Sequence, residues 1–340
     1  MIDPRRPDYE DTPASARRPG RRYRRGVYES PVVSIVTPFF NTGPVFDETV
    51  VCVRSQSLQD WEWLIVNDGS TDARSVRLLE ECARADSRIR VIQMPERRGP
   101  AAARNAGAAA ARAPYLLLLD SDDLIEPTAA EKWWWCLESY EEFAFVKGFS
   151  VGFGAMEYLA SSGFHEEAAF LERNRVDITS LIRADVFTRV GGFPEGNAEG
   201  LEDWEFWLRC AHAGVWGGTV PEYLSWYRRR ADDAARWRNW QGDGGSPELR
   251  ARLRKEFASL YEDPKRFPSL RPTQIRGSGS GARGSLCSLQ PPADGVGELV
   301  GAGRAAEIAG ARAVRQRAAE GGDHAVRHRR LTDVAQHQHP

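Results

Sequence analysis

The chain has 340 residues, 41% of them hydrophobic, and a formal net charge of −2. This length and apolar content can bury one large core or two ordinary ones. A charge so close to zero gives no support to nucleic acid or a membrane as a general partner, and no apolar run approaches the roughly 20 residues needed to span a bilayer. The composition therefore predicts a globular protein that binds no nucleic acid.

The cysteines are widely spaced and form no Cys-x-x-Cys pair. Together with the lack of a recognisable secretory leader, this spacing predicts reduced, mostly buried thiols in a cytoplasmic protein. Any membrane contact would then be peripheral, at the inner face of the membrane. The cysteines are Cys52, Cys82, Cys136, Cys210 and Cys287.

Composition divides the chain into four parts. Residues 1–30 are rich in Arg, Pro and acids, which predicts a disordered basic arm; weak contact with anionic lipid or a partner stays open. Residues 31–235 form the predicted globular domain, and residues 236–267 a helical extension. From 268 to 340 there is no Phe, Tyr, Trp, Met or Lys, which predicts a disordered or frameshift-derived tail.

Short β-branched or apolar runs alternate with helical patterns in the first half of the globular part. This alternation predicts a mostly parallel sheet with right-handed crossovers, flanked by helices in a Rossmann-like α/β fold. The predicted strands are 32–38, 61–67, 88–93 and 115–119, and the predicted helices are 46–56, 72–85 and 100–112.

The carboxyl ends of these strands carry the candidate chemistry. Parallel strands end at one edge of the sheet, which gathers Pro38, Asp68 and Asp120 there. Asp120 and Asp122 form an Asp-x-Asp motif, and two such carboxylates can share a hard divalent cation. Acid clusters at strand ends are more often caps or turns. However, the sequence has no Gly-rich phosphate-binding loop, so a bound diphosphate would need a cation.

Six segments occur in a fixed order between about residues 31 and 230. They are Val33–Asn41, Val66–Asp72, Gly99–Gly107, Leu119–Asp123, Val190–Phe193 and Leu201–Arg209. In content, order and spacing these segments resemble the inverting nucleotide-sugar glycosyltransferases of family 2. The resemblance implies a GT-A type α/β fold in a single catalytic domain.

On the donor side, the resemblance implies a role for each matching residue. Pro38 and Phe40 would line the nucleobase site, and Asp68 would hydrogen-bond the base. Arg104 would reach the base or the phosphates, and Asp120 would contact the ribose or the sugar. In the same motif, Asp122 would bind a Mg²⁺ or Mn²⁺ ion that bridges the diphosphate.

The acceptor side needs a proton acceptor, because an alcohol is a poor nucleophile at neutral pH. The resemblance implies that Asp203 is this general base, with Glu202 beside it at the start of a predicted helix. The two acids could instead serve only as a helix cap that suits the helix dipole. Asp177 also has two open interpretations, an acceptor contact and a turn residue.

One segment departs from the family pattern. Arg228, Arg229 and Arg230 stand where many relatives carry Tyr-Arg followed closely by His. That histidine can help to hold metal or phosphate. Two interpretations stay open for this chain: an arginine neutralises the diphosphate instead, or the contact is missing.

The motifs and the resemblance together predict a metal-dependent inverting glycosyltransferase that moves a sugar from a nucleoside diphosphate donor to an acceptor hydroxyl by direct displacement. The resemblance implies a donor of the UDP or dTDP type. The acceptor could be a glycan, a lipid-linked intermediate or a small molecule. A catalytically silent sugar-nucleotide or glycan-binding protein of the same fold is the main alternative. A sugar-phosphate nucleotidyltransferase is a third interpretation, but it would need a Gly-rich basic loop after the first strand.

Overall fold

The computed structural model describes residues 30–196, 201–230 and 245–264. Almost all of the predicted basic arm, from residue 1 to residue 29, lies outside the described residues. The predicted tail from residue 268 onward also lies outside them.

Nine strands form one sheet within the described residues. They are β1 (Val33–Phe39), β2 (Trp61–Asn67), β3 (Ile89–Gln93), β4 (Tyr115–Leu118), β5 (Leu124–Ile125), β6 (Phe143–Gly154), β7 (Tyr158–Ala160), β8 (Ser180–Arg183) and β9 (Trp216–Arg229). Their order is β3-β2-β1-β4-β8-β6-β9-β5, and β7 pairs with β6. Strands β1 to β4 are mutually parallel, β8 reverses direction, and β6 and β9 run parallel to each other. This is the mostly parallel α/β sheet that the alternation predicts.

Helices cover the sheet. They are α1 (Phe46–Arg54), α2 (Ala73–Ala85), α3 (Pro100–Ala110), α4 (Ala129–Ser139), α5 (Ala184–Arg189), α6 (Glu202–His212), α7 (Pro247–Glu256) and α8 (Ala258–Glu262), with 3₁₀ helices at Gly43–Val45 and Phe164–Leu171. The strands and helices predicted before residue 120 are confirmed, with ends shifted by at most two residues. No helix in the described part of the chain is both long and apolar enough to cross a membrane.

Helix α3 lies directly on the parallel part of the sheet. Gly107 makes this possible, because a Cβ atom at that position would come within 2.5 Å of Val36 Cγ1. The small residues of α3 let its backbone approach β1 and β2 closely. The approach brings Arg104, three residues earlier on the same helix, toward the carboxyl edge of the sheet.

A second part of the core lies between the sheet and helix α6. The rings of Phe145, Phe164 and Trp207 contact one another, with centroids 4.5 to 4.8 Å apart. Apolar residues of α7 and α8, including Leu253 and Leu260, belong to the same core cluster. Helix α6 is therefore held from two sides, and the position of its first turn is fixed by packing.

The strand ends meet as the sequence predicts. Pro38 of β1 is level with Val66 of β2, and Val36 of β1 is level with Leu118 of β4. The chain leaves each of these strands at the same edge of the sheet. The loops that follow the strands carry the candidate site.

Candidate active site

The Asp-x-Asp motif forms the turn after β4, and arginines hold both of its carboxylates. Arg104 Nη2 lies 2.6 Å from Asp120 Oδ1, and Arg230 Nε lies 2.8 Å from Asp122 Oδ2. Burial raises the pKa of Asp122, the charge of Arg230 opposes that rise, and the neighbouring Asp120 adds to it. The turn thus concentrates negative charge, and arginine side chains balance it from two sides.

Asp123 follows the motif and fastens it to strand β9. Its Oδ1 accepts the backbone N–H of Arg228 at 2.7 Å. Its Oδ2 is buried and has no hydrogen-bond partner among the described residues. Burial, followed by the charges of Asp122 and Asp120, raises the pKa of Asp123 well above its usual range. Asp123 has no predicted role from the sequence, although it directly follows the Asp-x-Asp motif.

Two of the three consecutive arginines contact the Asp122 turn. Arg228 donates from Nε to the backbone oxygen of Asp122 at 2.7 Å and pairs through Nη2 with Glu48 at 2.9 Å. Arg230 pairs with the side chain of Asp122. The segment that departs from the family pattern therefore places positive charge beside the proposed metal ligand.

Arg104 links the two halves of the site. Its side chain is only 5% exposed, and its Nη1 atom lies 2.7 Å from Glu202 Oε1 while Nη2 contacts Asp120. Burial alone would lower the pKa of Arg104, but the two carboxylates outweigh burial and raise it. The structure places this guanidinium between the Asp-x-Asp motif and the first turn of α6.

Asp203 lies in the first turn of α6. Its Oδ1 accepts the N–H of Trp204 at 2.8 Å, and its Oδ2 accepts Nδ2 of Asn174 at 2.7 Å. Burial and, after it, the charge of Glu202 raise the pKa of Asp203 to about 7; Arg104 and the two N–H donors oppose the rise. A carboxylate with such a pKa is suited to accept a proton near neutral pH. Nothing in the sequence distinguished Asn174 from its polar neighbours, Arg173 and Arg175, in the same loop.

The residues proposed for the nucleobase lie at the ends of β1 and β2. Asp68 is buried, and its two carboxylate oxygens accept the backbone N–H groups of Arg98 at 2.7 Å and Gly99 at 2.8 Å. These bonds hold the loop before α3. The guanidinium of Arg97 in that loop lies over the ring of Phe40, with its Cζ atom 3.9 Å from the ring centroid.

Asp177 is engaged by other protein groups. Its Oδ2 accepts Lys147 Nζ at 2.9 Å and the hydroxyl of Ser150, and its Oδ1 accepts the backbone N–H of Thr179 at 3.1 Å. Lys147 is fully buried in β6. Both oxygens of Asp177 are therefore used inside the protein, which favours an anchoring role over contact with an acceptor.

The donor set of the Asp-x-Asp turn fits one kind of metal site. Among the residues that the structure describes, no three His, Cys, Asp or Glu side chains converge as a metal-binding group. Mg²⁺ and similar hard cations are usually held by one or two carboxylates together with phosphate oxygens and water. The carboxylates of Asp120 and Asp122 fit a cation that arrives with a diphosphate, and do not fit an all-protein cage.

Comparison with known proteins points to one family. The family model described as "Glycosyl transferase family 2" matches residues 34–181. The chain is 28% identical over 284 residues to O-antigen biosynthesis protein RfbC of Myxococcus xanthus, a match that covers 80% of this chain. It spans only 22% of the length of RfbC.

Two solved structures share the fold. Residues 1–349 of S. aureus TarS, in complex with UDP-GlcNAc, superpose with a TM-score of 0.55 at 17% identity and cover 68% of this chain and 66% of that chain. The mannosyltransferase PcManGT of Pyrobaculum calidifontis, in complex with GDP-Man and Mn²⁺, gives a TM-score of 0.52 at 18% identity and covers 72% and 73%. At such identities the likeness establishes the GT-A fold alone.

Proposed function

We propose that the chain is a glycosyltransferase of family 2, because residues 34–181 match the model of that family and the chain has the GT-A fold. It moves a sugar from a nucleoside diphosphate sugar to an acceptor hydroxyl by direct displacement, with inversion at the anomeric carbon. Asp203 is the general base, and the Asp-x-Asp turn holds the donor diphosphate.

The observation that carries this proposal is the buried link through Arg104. Glycosyl transfer needs a donor subsite and a proton acceptor held in one fixed relation, because effective catalysis depends on orientation. Arg104 contacts Asp120 at 2.6 Å on one side and Glu202, the neighbour of Asp203, at 2.7 Å on the other. Burying these charges is costly, and their position between the two subsites supports a role in aligning the donor with the base.

On the donor side, the residues have distinct roles in the proposal. Asp122, assisted by Asp120, would hold Mg²⁺ or Mn²⁺, which when bound offsets the negative charge that develops on the departing diphosphate. Arg228 and Arg230 bring further positive charge to the same place. Support for a divalent cation comes from PcManGT, whose complex contains GDP-Man and Mn²⁺.

The nucleobase site in the proposal is formed by Pro38 and Phe40, with Asp68 behind them. Asp68 holds the loop of Arg98 and Gly99 through two backbone hydrogen bonds. TarS binds UDP-GlcNAc and PcManGT binds GDP-Man, so these two structures favour neither base over the other. We expect UDP, or the closely related dTDP, because the family resemblance implies it.

On the acceptor side, Asp203 would take the proton of the attacking hydroxyl. Its pKa of about 7 gives it the basicity for that step near neutral pH. The similarity to an O-antigen biosynthesis protein favours a glycan or lipid-linked glycan as acceptor over a small molecule. A lipid-linked acceptor would require the protein to associate peripherally with a membrane surface.

Calorimetric titration of UDP, dTDP and GDP into the full chain, with Mn²⁺ and with EDTA, tests the donor site. We expect one nucleotide to bind only with the metal, and binding to be lost in Asp122→Asn because a neutral amide cannot replace the carboxylate ligand. Asp185→Asn, at an exposed position on α5, is the matched control and should bind as the wild type does. If a well-folded wild type binds none of the nucleotides under any of these conditions, the transferase proposal is wrong, and a silent glycan-binding protein of the same fold takes its place.

A further inference from the structure

Each carboxylate oxygen of Asp203 has one hydrogen-bond donor. Trp204, the next residue along α6, donates its backbone N–H to Oδ1 at 2.8 Å. Asn174 donates its amide to Oδ2 at 2.7 Å from a separate segment between the 3₁₀ helix Phe164–Leu171 and β8. Because only Asn174 comes from outside α6, it sets how the carboxylate is turned relative to the rest of the site.

The segment that carries Asn174 is anchored before and after this residue. Before it, the indole Nε1 of Trp204 donates to the backbone oxygen of Phe170 at 2.6 Å. After it, Asp177 pairs with the buried Lys147 at 2.9 Å. A buried charge is costly to leave unpaired. The pairing of Lys147 with Asp177 therefore fixes the position of the segment that carries Asn174. Asn174 itself is only 7% exposed.

We propose that Asn174 is a positioning residue that orients the carboxylate of Asp203 toward the acceptor hydroxyl and stabilises its ionised form. A general base needs a third group to orient it within hydrogen-bond reach of its proton. The amide of Asn174 supplies that group, with the Lys147–Asp177 pair supporting it from behind. The reaction itself rests on the proposed function, whereas the contact between the two side chains does not.

The charged groups around Asp203 are few. Within the described residues, Glu202 of the same helix acts against its ionised form, and Arg104 of α3 favours it. Burial is the largest influence and raises the pKa of Asp203; the N–H donors of Trp204 and Asn174 oppose it. Loss of the Asn174 donor should therefore raise the pKa of Asp203 further.

Two variants separate the role of the donor from that of the loop. Asn174 Oδ1 accepts the N–H of Val176 at 3.4 Å, and Asn174→Asp keeps an oxygen that can do the same in a side chain of the same size. The variant loses the N–H donor to Asp203 and places a second carboxylate there. Asn174→Ala removes both contacts. Asn105→Ala is the matched control, because the Asn105 amide donates to the backbone oxygen of Phe193 at 2.9 Å.

The first measurement needs no catalytic activity. The free energy of unfolding is measured from about pH 5 to about pH 9, because a carboxyl with a raised folded pKa contributes stability that is full at low pH and is lost as pH rises toward that pKa. We expect this loss to extend to higher pH in Asn174→Ala than in the wild type, and the difference in pH dependence to vanish when both chains also carry Asp203→Asn. An equal difference in the two backgrounds would overturn the proposal.

The second measurement is the pH dependence of kcat and KM. Asn174→Ala should lower kcat by about 10- to 100-fold, the effect of one hydrogen bond to a charged group. It should also move the acid limb of the pH–kcat profile, the range in which kcat rises with pH, to higher pH. The KM for the donor should stay unchanged. Asn105→Ala should leave the limb in place. An acid limb that stays fixed in both Asn174 variants would overturn the role of Asn174. A wild type without transferase activity would overturn the proposed function instead, and the unfolding measurement would still decide the contact.

Discussion

The guanidinium of Arg104 is the buried cation that Asp120 and Glu202 share. Two acids on separate elements depend on one positive charge, and water does not reach that charge easily. Taking the arginine away would leave both carboxylates in a poorly solvated place. The single residue therefore contributes to stability and to the electrostatics of Asp203 together.

We expect Arg104→Gln to lower the free energy of unfolding by about 3 to 5 kcal/mol, because it leaves buried charges without their partner. It should also raise the pKa of Asp203, since Arg104 opposes the effect of burial there. Denaturant unfolding at neutral pH measures the first effect. Arg98→Gln is the control: its pair with Glu195 is exposed and should contribute less than about 1 kcal/mol. Equal losses in the two variants would contradict the role of Arg104.

Helix α3 is the element that brings Arg104 to the site, and its packing depends on Gly107. A Cβ at this position would lie 2.5 Å from Val36 Cγ1 and 3.1 Å from Val66 Cγ2. Both valines are buried in central strands, so neither side chain has room to move. The helix must shift if a larger residue replaces the glycine.

We expect Gly107→Val to destabilise the protein by at least about 1 to 3 kcal/mol, the usual effect of forcing extra groups into a packed core. Ala109→Val, on the exposed face of the same helix, should cost only the smaller helix propensity of valine, less than about 1 kcal/mol. Urea unfolding of the two variants beside the wild type provides the comparison. A stability of Gly107→Val equal to that of Ala109→Val would show that α3 does not need the close approach to β1.

At the scale of the whole molecule, the strands and helix caps are the features that can be predicted from the sequence, because they depend on the pattern of neighbouring residues. Strand β4 was predicted because its leucines leave no polar face, and the structure buries all four of its residues. The cap of α2 is equally local, because the side chain of Asp72 accepts the N–H of Ser75, three residues further along the chain. Such features depend on neighbours that are close in the chain.

The parts that sequence does not predict depend on residues that are far apart in the chain. The contacts of Arg104 with Glu202 and of Asn174 with Asp203 join segments 98 and 29 residues apart. No periodicity or motif spacing carries such pairings, which arise only when α6 packs against the sheet. The family resemblance named Arg104 and Asp203, but the bond that orients Asp203 became visible only in three dimensions.

The most direct test of the account is the rate and stereochemistry of sugar transfer by the full chain and by Asp203→Asn, over a range of pH. Once the nucleotide that binds is known, its sugar conjugates are screened with glycan acceptors, and product configuration is read by proton NMR. We expect an inverted product and a rate that rises with pH through about 7, where Asp203 loses its proton. Asp203→Asn should bind donor normally but transfer about 10²- to 10⁴-fold more slowly, the usual contribution of a general base. A retained product configuration, or an Asp203→Asn variant as fast as the wild type, would contradict the account.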